Sequence, residues 1–538
     1  MRATGAPFRR FCLLPFALCA VLVVVSAPSF AASRLIDAVK RGDVNAVRAL
    51  AAQKADVNAQ DADGSTALHW AAQRDDVVMV DALIAAGANV KAKTRYNVTP
   101  LSLACTNGDA KLVDRLLKAG ADPNERSEEG QTALMISSLT GKPDAVKLLV
   151  ETGADVNAVE PYKGQTALMW AASEGNAAAV DVLLTHGADV NAKSKSGFTP
   201  LLFAVRNDHR DSAEALLNHS ANVNDVAPDG TSALNMAVVN AYFDLAAFLL
   251  DRGANPNASD PRGSALHTLA WLRKPGSDGA AGVGNTGHAP PLPSGRMTAL
   301  ELAKRLLDHG ANPNIRVGWK ENTFGKEGGT ARNPPNIQLG RHLLSYVGAT
   351  PFYVAAKNGD APYMKLLADH GADPLMTTKA GITPLMVAAG LDYWEGEAPG
   401  PFTGVSEAER LDAVKLAVAL GNDVNAHADF GDYPMTGETA YTLLYYPHNI
   451  DDLLELGVGD PRWSGATPLI GAVVSGQPSI VQWLVDHNAR VDDTTKLGWT
   501  PLLVAEGVFF ANAKKEFPQA AVIHRKALAA RGPSAGNH

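Results

Sequence analysis

Residues 164–191, GQTALMWAASEGNAAAVDVLLTHGADVN, decide the fold. Gly164 permits the positive φ of a tight turn, Thr166 is a natural N-cap, and Leu168, Ala171 and Ala172 recur at helical spacing. A first helix is predicted from Thr166, broken by a turn at Glu174 to Asn176. Val180, Val182, Leu183 and Leu184 then give a second apolar stripe, which stops at Gly187 where a left-handed C-cap is expected. The unit is a pair of short helices.

Outward from this stretch, the phrase Thr or Ser, then Pro or Ala, then an apolar residue begins at Thr66, Thr99, Thr132, Thr166, Thr199, Ser232, Ser264, Thr350, Thr383, Thr467 and Thr500. Between Thr66 and Ser264 the steps are 33, 33, 34, 33, 33 and 32 residues, and 33 returns from Thr350 to Thr383 and from Thr467 to Thr500. A fixed period of that size marks a solenoid. Pro100, Pro200, Pro384, Pro468 and Pro501 follow the cap at the first helical position, where a missing N–H costs nothing. One such pair has apolar faces on two sides and cannot bury both, so neighbours must stack and share a core that runs along the chain. A stacked array also accommodates 538 residues, a length that otherwise splits into several globular domains.

The copy Asp63-Gly64-Ser65-Thr66-Ala67-Leu68-His69-Trp70-Ala71-Ala72, with Val80 to Ile84 and Gly87-Ala88-Asn89-Val90, resembles an ankyrin repeat, whose pattern is DGxTPLHxAA, a VVxLLL-like run and GADVN. Six nearly full copies lie between residues 60 and 260. The resemblance implies an all-α ankyrin-repeat solenoid of stacked helix pairs, with short β-hairpin fingers between GADVN and DG and with first helices lining a concave surface. Asn97 and Asn488 stand where Gly is usual, and Lys54 and Ser220 occupy the GADVN glycine. Asn tolerates positive φ, whereas Lys and Ser do so less readily.

The chain is 46% hydrophobic, 19% charged and only 6% aromatic, an ordinary folded composition packed largely by small residues. Residues 1–31 differ. Arg2, Arg9 and Arg10 precede an apolar run from Phe11 to Val25, and Ser29-Phe30-Ala31 closes it with small residues at the positions a signal peptidase reads. A cleaved secretory signal is expected, and with it export to the periplasm or medium. The run is shorter than the roughly 20 apolar residues that span a bilayer and it contains Pro15, so no stable membrane insertion is expected after cleavage. Removal of three Arg and no acids takes the net charge from −8 to −11, a balance unsuited to nucleic acid or anionic membranes. Cys12 and Cys19 leave with the signal, so Cys105 remains alone and no intramolecular disulfide is available.

The mature chain is expected to open with a capping helix pair in 32–59, Leu35 to Arg41 and Val44 to Gln53, followed by regular repeats over 60–272. A Gly/Pro-rich insertion at 273–296 then separates two helices of one repeat, whose second helix lies in 297–314. A further insertion at 315–348 falls at a finger, repeats resume over 349–390, and a third insertion, 391–407, again parts two helices. Repeats are expected over 408–510, including a shortened one at Gly437 to Pro461 with Thr439 as its cap. A capping helix over 511–530 with solvated His524, Arg525 and Lys526, and a free tail at 531–538, complete the chain.

No catalytic residue, cofactor or metal site is expected. His186, His219, His309, His370 and His487 recur at the ends of second helices, but each belongs to a different repeat. Packed helices lie about 8–10 Å apart, whereas ligands of one zinc all sit about 2 Å from it. There is no Cys-x-x-Cys-His, Gly-rich phosphate loop, His-Glu-x-x-His or Gly-x-Ser-x-Gly. His69 and His267 match the TPLH histidine, which the resemblance makes a structural brace.

What remains is surface. The position after the TPLH histidine, on the implied concave face, reads Trp70, Leu103, Ile136, Trp170, Phe203 and Met236, where packing between repeats and ligand contact are both open. The implied finger tips carry Arg95 and Tyr96, Glu125 and Arg126, Glu160, Tyr162 and Lys163, then Lys193 and Lys195. Aromatic and Arg residues on rigid turns are typical interface anchors. The expected partner-binding set is Trp70, Arg95, Tyr96, Arg126, Tyr162, Lys163, Trp170, Lys195 and Phe203, and the expected function is a non-catalytic scaffold for a partner protein. The alternative is an enzyme accessory subunit or small-molecule-binding protein whose site is built by the insertions near Trp319, Tyr393 and Trp394.

Overall fold

The computed structural model describes residues 27–260, 263–273, 292–317, 348–378, 381–391, 405–429, 464–507, 509–510, 513–514 and 516–531. They form two compact units, the first comprising residues up to 133 with 151–153 and the second 134–150 with 154 onward. Residues 1–26 of the expected signal segment 1–31 and residues 532–538 of the expected tail 531–538 lie outside the described residues.

The first unit begins with helices Ala27–Arg41 and Val44–Ala52, followed by the pairs Ala67–Gln73/Val77–Ala85 and Pro100–Asn107/Ala110–Lys118. First helices pack on first helices and second on second. Leu68, Val80, Leu83, Leu112 and Leu116 are fully buried between layers, each worth about 2 kcal/mol in apolar area removed from water. The helices start where the caps dictate. Thr99 accepts from the backbone N–H of Ser102 at 3.1 Å while the Ser102 hydroxyl faces the Thr99 N–H at 3.0 Å, a reciprocal capping box preceding Pro100.

The second unit repeats the same plan through the pairs Ala167–Ser173/Ala177–Thr185, Pro200–Arg206/Arg210–Asn218, Ala233–Val239/Phe243–Asp251, Ala265–Arg273/Ala299–Asp308, Pro351–Lys357/Ala361–Asp369, Pro384–Ala389/Glu407–Ala419 and Pro468–Val474/Pro478–Asp486. It ends with Pro501–Gly507, a two-residue antiparallel hairpin pairing Phe509 with Lys514 and Phe510 with Ala513, and the helix Pro518–Arg531. That last helix packs on Pro501–Gly507 and Pro478–Asp486. His524 was expected on its solvated face; the structure buries it completely, because the position points back at the preceding repeat. Arg525 and Lys526 are exposed.

Many consecutive repeats are clamped by the Asn that ends the GADVN phrase. Asn157 donates to Gly187 O at 3.1 Å and accepts from Asp189 N–H at 2.8 Å, reaching one repeat along the chain. Asn58, Asn224, Asn257, Asn314 and Asn425 make the same double contact with the next copy. The pairs bridging the insertions show that the stack continues across them. Asn425 grips Asn488 and Arg490, Pro384–Ala389 packs directly on Pro468–Val474, and Ala428 pairs with Gly465 and Ala466 through backbone bonds of 2.8 and 2.9 Å. The shortened repeat read at Gly437 to Pro461 lies outside the described residues. The repeats on either side of it stack directly on each other. Val317 likewise pairs with Gly348 and Ala349 at 2.9 Å.

Candidate functional site

In the first unit, Arg95 and Tyr96 sit at a finger tip, where Tyr96 is 61% exposed. The tip is fixed from within. Thr94 Oγ1 accepts from the N–H groups of Tyr96 and Val98, Asn97 adopts φ +55°, and Arg95 N–H donates to Asp63 O of the preceding finger at 3.0 Å. Arg126 is exposed, and its guanidinium donates to Gly130 O across its own finger at 3.0 Å. Lys93 and Glu125 pair between fingers at 2.5 Å. A shallow surface cleft opens beside them, lined among others by Asn97, Thr99, Leu101, Glu125 and Arg126. Trp70 is half-buried and engaged at both ends: its indole N–H donates to Asp61 at 3.0 Å and Lys40 Nζ lies 4.0 Å above the ring. It braces the capping helix and offers a partner little beyond one ring edge.

In the second unit, Tyr162 projects from a finger with 70% of its surface exposed. Its turn is built on Glu160, which the sequence placed among the tip residues and the structure buries, at 5% exposure. The carboxylate accepts from the N–H groups of Tyr162, Lys163 and Gln165 at 2.7, 2.8 and 2.9 Å. Burial works to raise this carboxyl, but the three N–H groups and the neighbouring Lys195 outweigh it and hold the group below the usual carboxylate range. Lys195 N–H donates to Lys163 O at 2.8 Å, and its ammonium reaches Pro161 O. The two fingers are thus bonded to each other. Trp170 is half-buried, and its indole N–H finds no acceptor among the described residues, because the acid that serves Trp70 is here spent on the finger turn. Phe203, expected as a contact residue, is only 4% exposed. Its ring lies 5.7 Å from Phe198 with Arg206 5.2 Å from its centre, so it belongs to the packing of its repeat, as does buried Met236. Leu103 and Ile136 are half-buried.

The family of ankyrin repeats matches residues 35–127, 101–194 and 191–260 as three-copy blocks, and single ankyrin repeats match 347–379 and 464–496. The chain belongs to the ankyrin-repeat family. No curated protein matches it. Among solved structures, the human ASB11 ankyrin repeat domain is 27% identical, with 41% of this chain and 98% of that one covered and a TM-score of 0.38.

Ankyrin repeats serve generally as protein-interaction scaffolds and are typically non-catalytic. The ankyrin histidines take structural positions. His69 Nδ1 accepts from Thr66 N–H at 3.1 Å and Nε2 donates to Val98 O at 3.0 Å; His267 repeats this with Ser264 N–H at 3.1 Å and Ala349 O at 3.2 Å. His186, His309, His370 and His487 each turn Nδ1 onto the carbonyl four residues back, at 2.7–2.8 Å, at the C-terminal end of a second helix. Among the described residues no group of three or more His, Cys, Asp or Glu could hold a metal ion, and no helix is long and apolar enough to cross a membrane. Sequence reasoning missed Glu160 and Asp61 as organisers of the surface. Each precedes its Thr cap by five or six residues, a spacing that marks a finger base.

Proposed function

We propose that this chain is an exported, non-catalytic ankyrin scaffold that holds a partner protein on its finger tips and on the half-buried ring edges of its first helices. The observation that carries this reading is the combination at Tyr96 and Tyr162: large aromatic side chains exposed on turns whose backbone N–H groups are already committed to Thr94 and Glu160. Such residues lose little freedom on association, so the energy of burying the ring goes into affinity. Export rests on the basic start and apolar run before Ala31. Trp319, Tyr393 and Trp394, the basis of the ligand-site alternative, lie outside the described residues.

The test is capture from an extract of producing cells with the immobilised chain, beside a Tyr96→Ala/Tyr162→Ala/Trp170→Ala variant, read by cross-linking and mass spectrometry. A protein retained by the wild type, lost by the variant and cross-linked to the fingers supports the reading. Equal retention by both removes the fingers from the site. N-terminal sequencing of the secreted chain is expected to begin at Ala32, and a retained Met1 would end the export reading.

A further inference from the structure

We infer that the adjoining fingers 160–165 and 193–197 of the second unit dock an acidic segment of the partner protein, with an apolar side chain of that segment seated on Tyr162. This rests on the scaffold reading and names the chemistry its partner must present. Lys163, Lys193 and Lys195 are all exposed at these two tips. The bond from Lys195 N–H to Lys163 O ties the fingers together at the residues that carry the charges, and the Lys195 ammonium reaches Pro161 O, which places a cation beside Tyr162. The one carboxylate within these stretches, Glu160, is buried and turned inward onto backbone N–H groups, so the tips present three cations and no exposed anion.

The surroundings sharpen the contrast. The whole chain carries −8, so this is a positive point on a negative molecule, an arrangement that attracts and orients an anionic segment while repelling the chain's own copies. The following finger reverses the sign with exposed Asp229 beside Val226, itself 50% exposed, which limits how far an acidic segment can run along the row. Val159, 51% exposed on the same finger as Tyr162, extends the apolar spot at its base. Three lysines on an acidic chain neutralise too few phosphates to hold nucleic acid at physiological salt, so the anion is a short carboxylate-rich stretch of polypeptide.

The experiment uses the full chain and a fluorescein-labelled peptide of alternating glutamate and leucine, followed by fluorescence anisotropy. Wild type is expected to bind it, more weakly as salt rises. The Lys163→Glu/Lys193→Glu/Lys195→Glu variant is expected to lose about tenfold or more in affinity. Tyr162→Ala is expected to lose several-fold, and an equal charge reversal at exposed Lys111, Lys142 and Lys526 to leave binding in place. Circular dichroism melts establish that each variant is folded. The inference is overturned if wild type does not bind, if both triple reversals weaken binding equally, if the matching lysine–leucine peptide binds as well, or if a single-stranded oligonucleotide displaces the peptide. Capture of a cellular partner by the finger reversal as well as by wild type overturns it while leaving the scaffold standing; capture of nothing by wild type removes the scaffold reading itself.

Discussion

At His267 the imidazole accepts a backbone hydrogen bond on Nδ1 and donates from Nε2, so only its neutral form fits. Burial lowers its pKa to about 4, against weaker opposing pulls from Ala349 O and Asp260. Below the ordinary histidine value the unfolded chain binds the proton that the folded chain refuses. Stability is therefore complete above about pH 6.5 and falls as pH drops towards 4, by ~3 kcal/mol from this residue in the limit. His267→Asn should be less stable at pH 7 yet show a shallower acid slope in thermal melts; identical slopes would refute the assignment. Glu160 also loses its contribution on acidification, but as a carboxylate favoured by the fold: its lowered carboxyl supplies stability that is complete above the ordinary glutamate value and is lost as pH falls below it. Glu160→Ala leaves three backbone N–H groups of one finger without their acceptor and is expected to cost about 2 kcal/mol, with faster amide exchange at Tyr162 and Lys163. The bracing role of His267 was legible from its place in the repeat phrase, but that of Glu160 was not, because a Glu in a polar finger looks like any solvated acid until its neighbours' N–H groups are seen to converge on it. Lys54 and Ser220 make the converse point: at φ +58° and +68° they occupy the left-handed cap that the period demands, so the surrounding repeat outweighs the preference of the single residue.

Among the elements, the helix that enters the Gly/Pro-rich interruption is tied to the second helix of the next repeat by a contact no periodicity predicts. Arg273, the last residue of Ala265–Arg273, makes a two-pronged pair with Asp360 at 2.7 and 3.0 Å, and Asp360 also caps the helix Ala361–Asp369 by accepting from Tyr363 N–H at 3.2 Å. Asp360 is 1% exposed, and Tyr363 beneath it donates to Leu266 O at 2.8 Å. Asp360→Ala leaves a guanidinium stranded in a dry site and is expected to cost about 3–5 kcal/mol. Arg273→Met combined with Asp360→Ala should recover much of that loss, and a double-mutant cycle in urea measures it; purely additive losses would show that the pair is not coupled. At this scale the helix starts were legible because Thr caps and Pro at the first turn are local chemistry. The return of the interruption was not: Asp244, from the preceding repeat, accepts from the N–H groups of Arg296 and Met297 at 3.0 and 3.3 Å, an anchor more than fifty residues away in sequence.

For the molecule as a whole, the irregular half has an order of its own. Thr383 follows Ser264 by 119 residues and Thr500 follows Thr383 by 117, and in each span one repeat with a split helix pair and an enlarged finger precedes one plain repeat. The regular period of the first half was legible because each copy restates the whole phrase. In the second half the cap and apolar run near Thr439 lie outside the described residues, and the array is continuous from Pro384–Ala389 to Pro468–Val474 by direct packing. Backbone bonds likewise join the two residues that border 318–347. Gly348 N–H bonds to Val317 O and Val317 N–H to Ala349 O, with Gly348 at φ +87°, the same pattern that closes the regular finger at Ser194, Gly197 and Phe198, so the Lys-Ser dipeptide of that finger in place of residues 318–347 satisfies the same bonds. Shortening a loop returns about 0.6 kcal/mol for each halving of its length, so the melting temperature is expected to hold or rise slightly. A fall of several degrees would mean that Trp319 and Phe324 contribute to the core of the stack, and an unchanged melt with lost partner capture would place the partner's second contact on that finger.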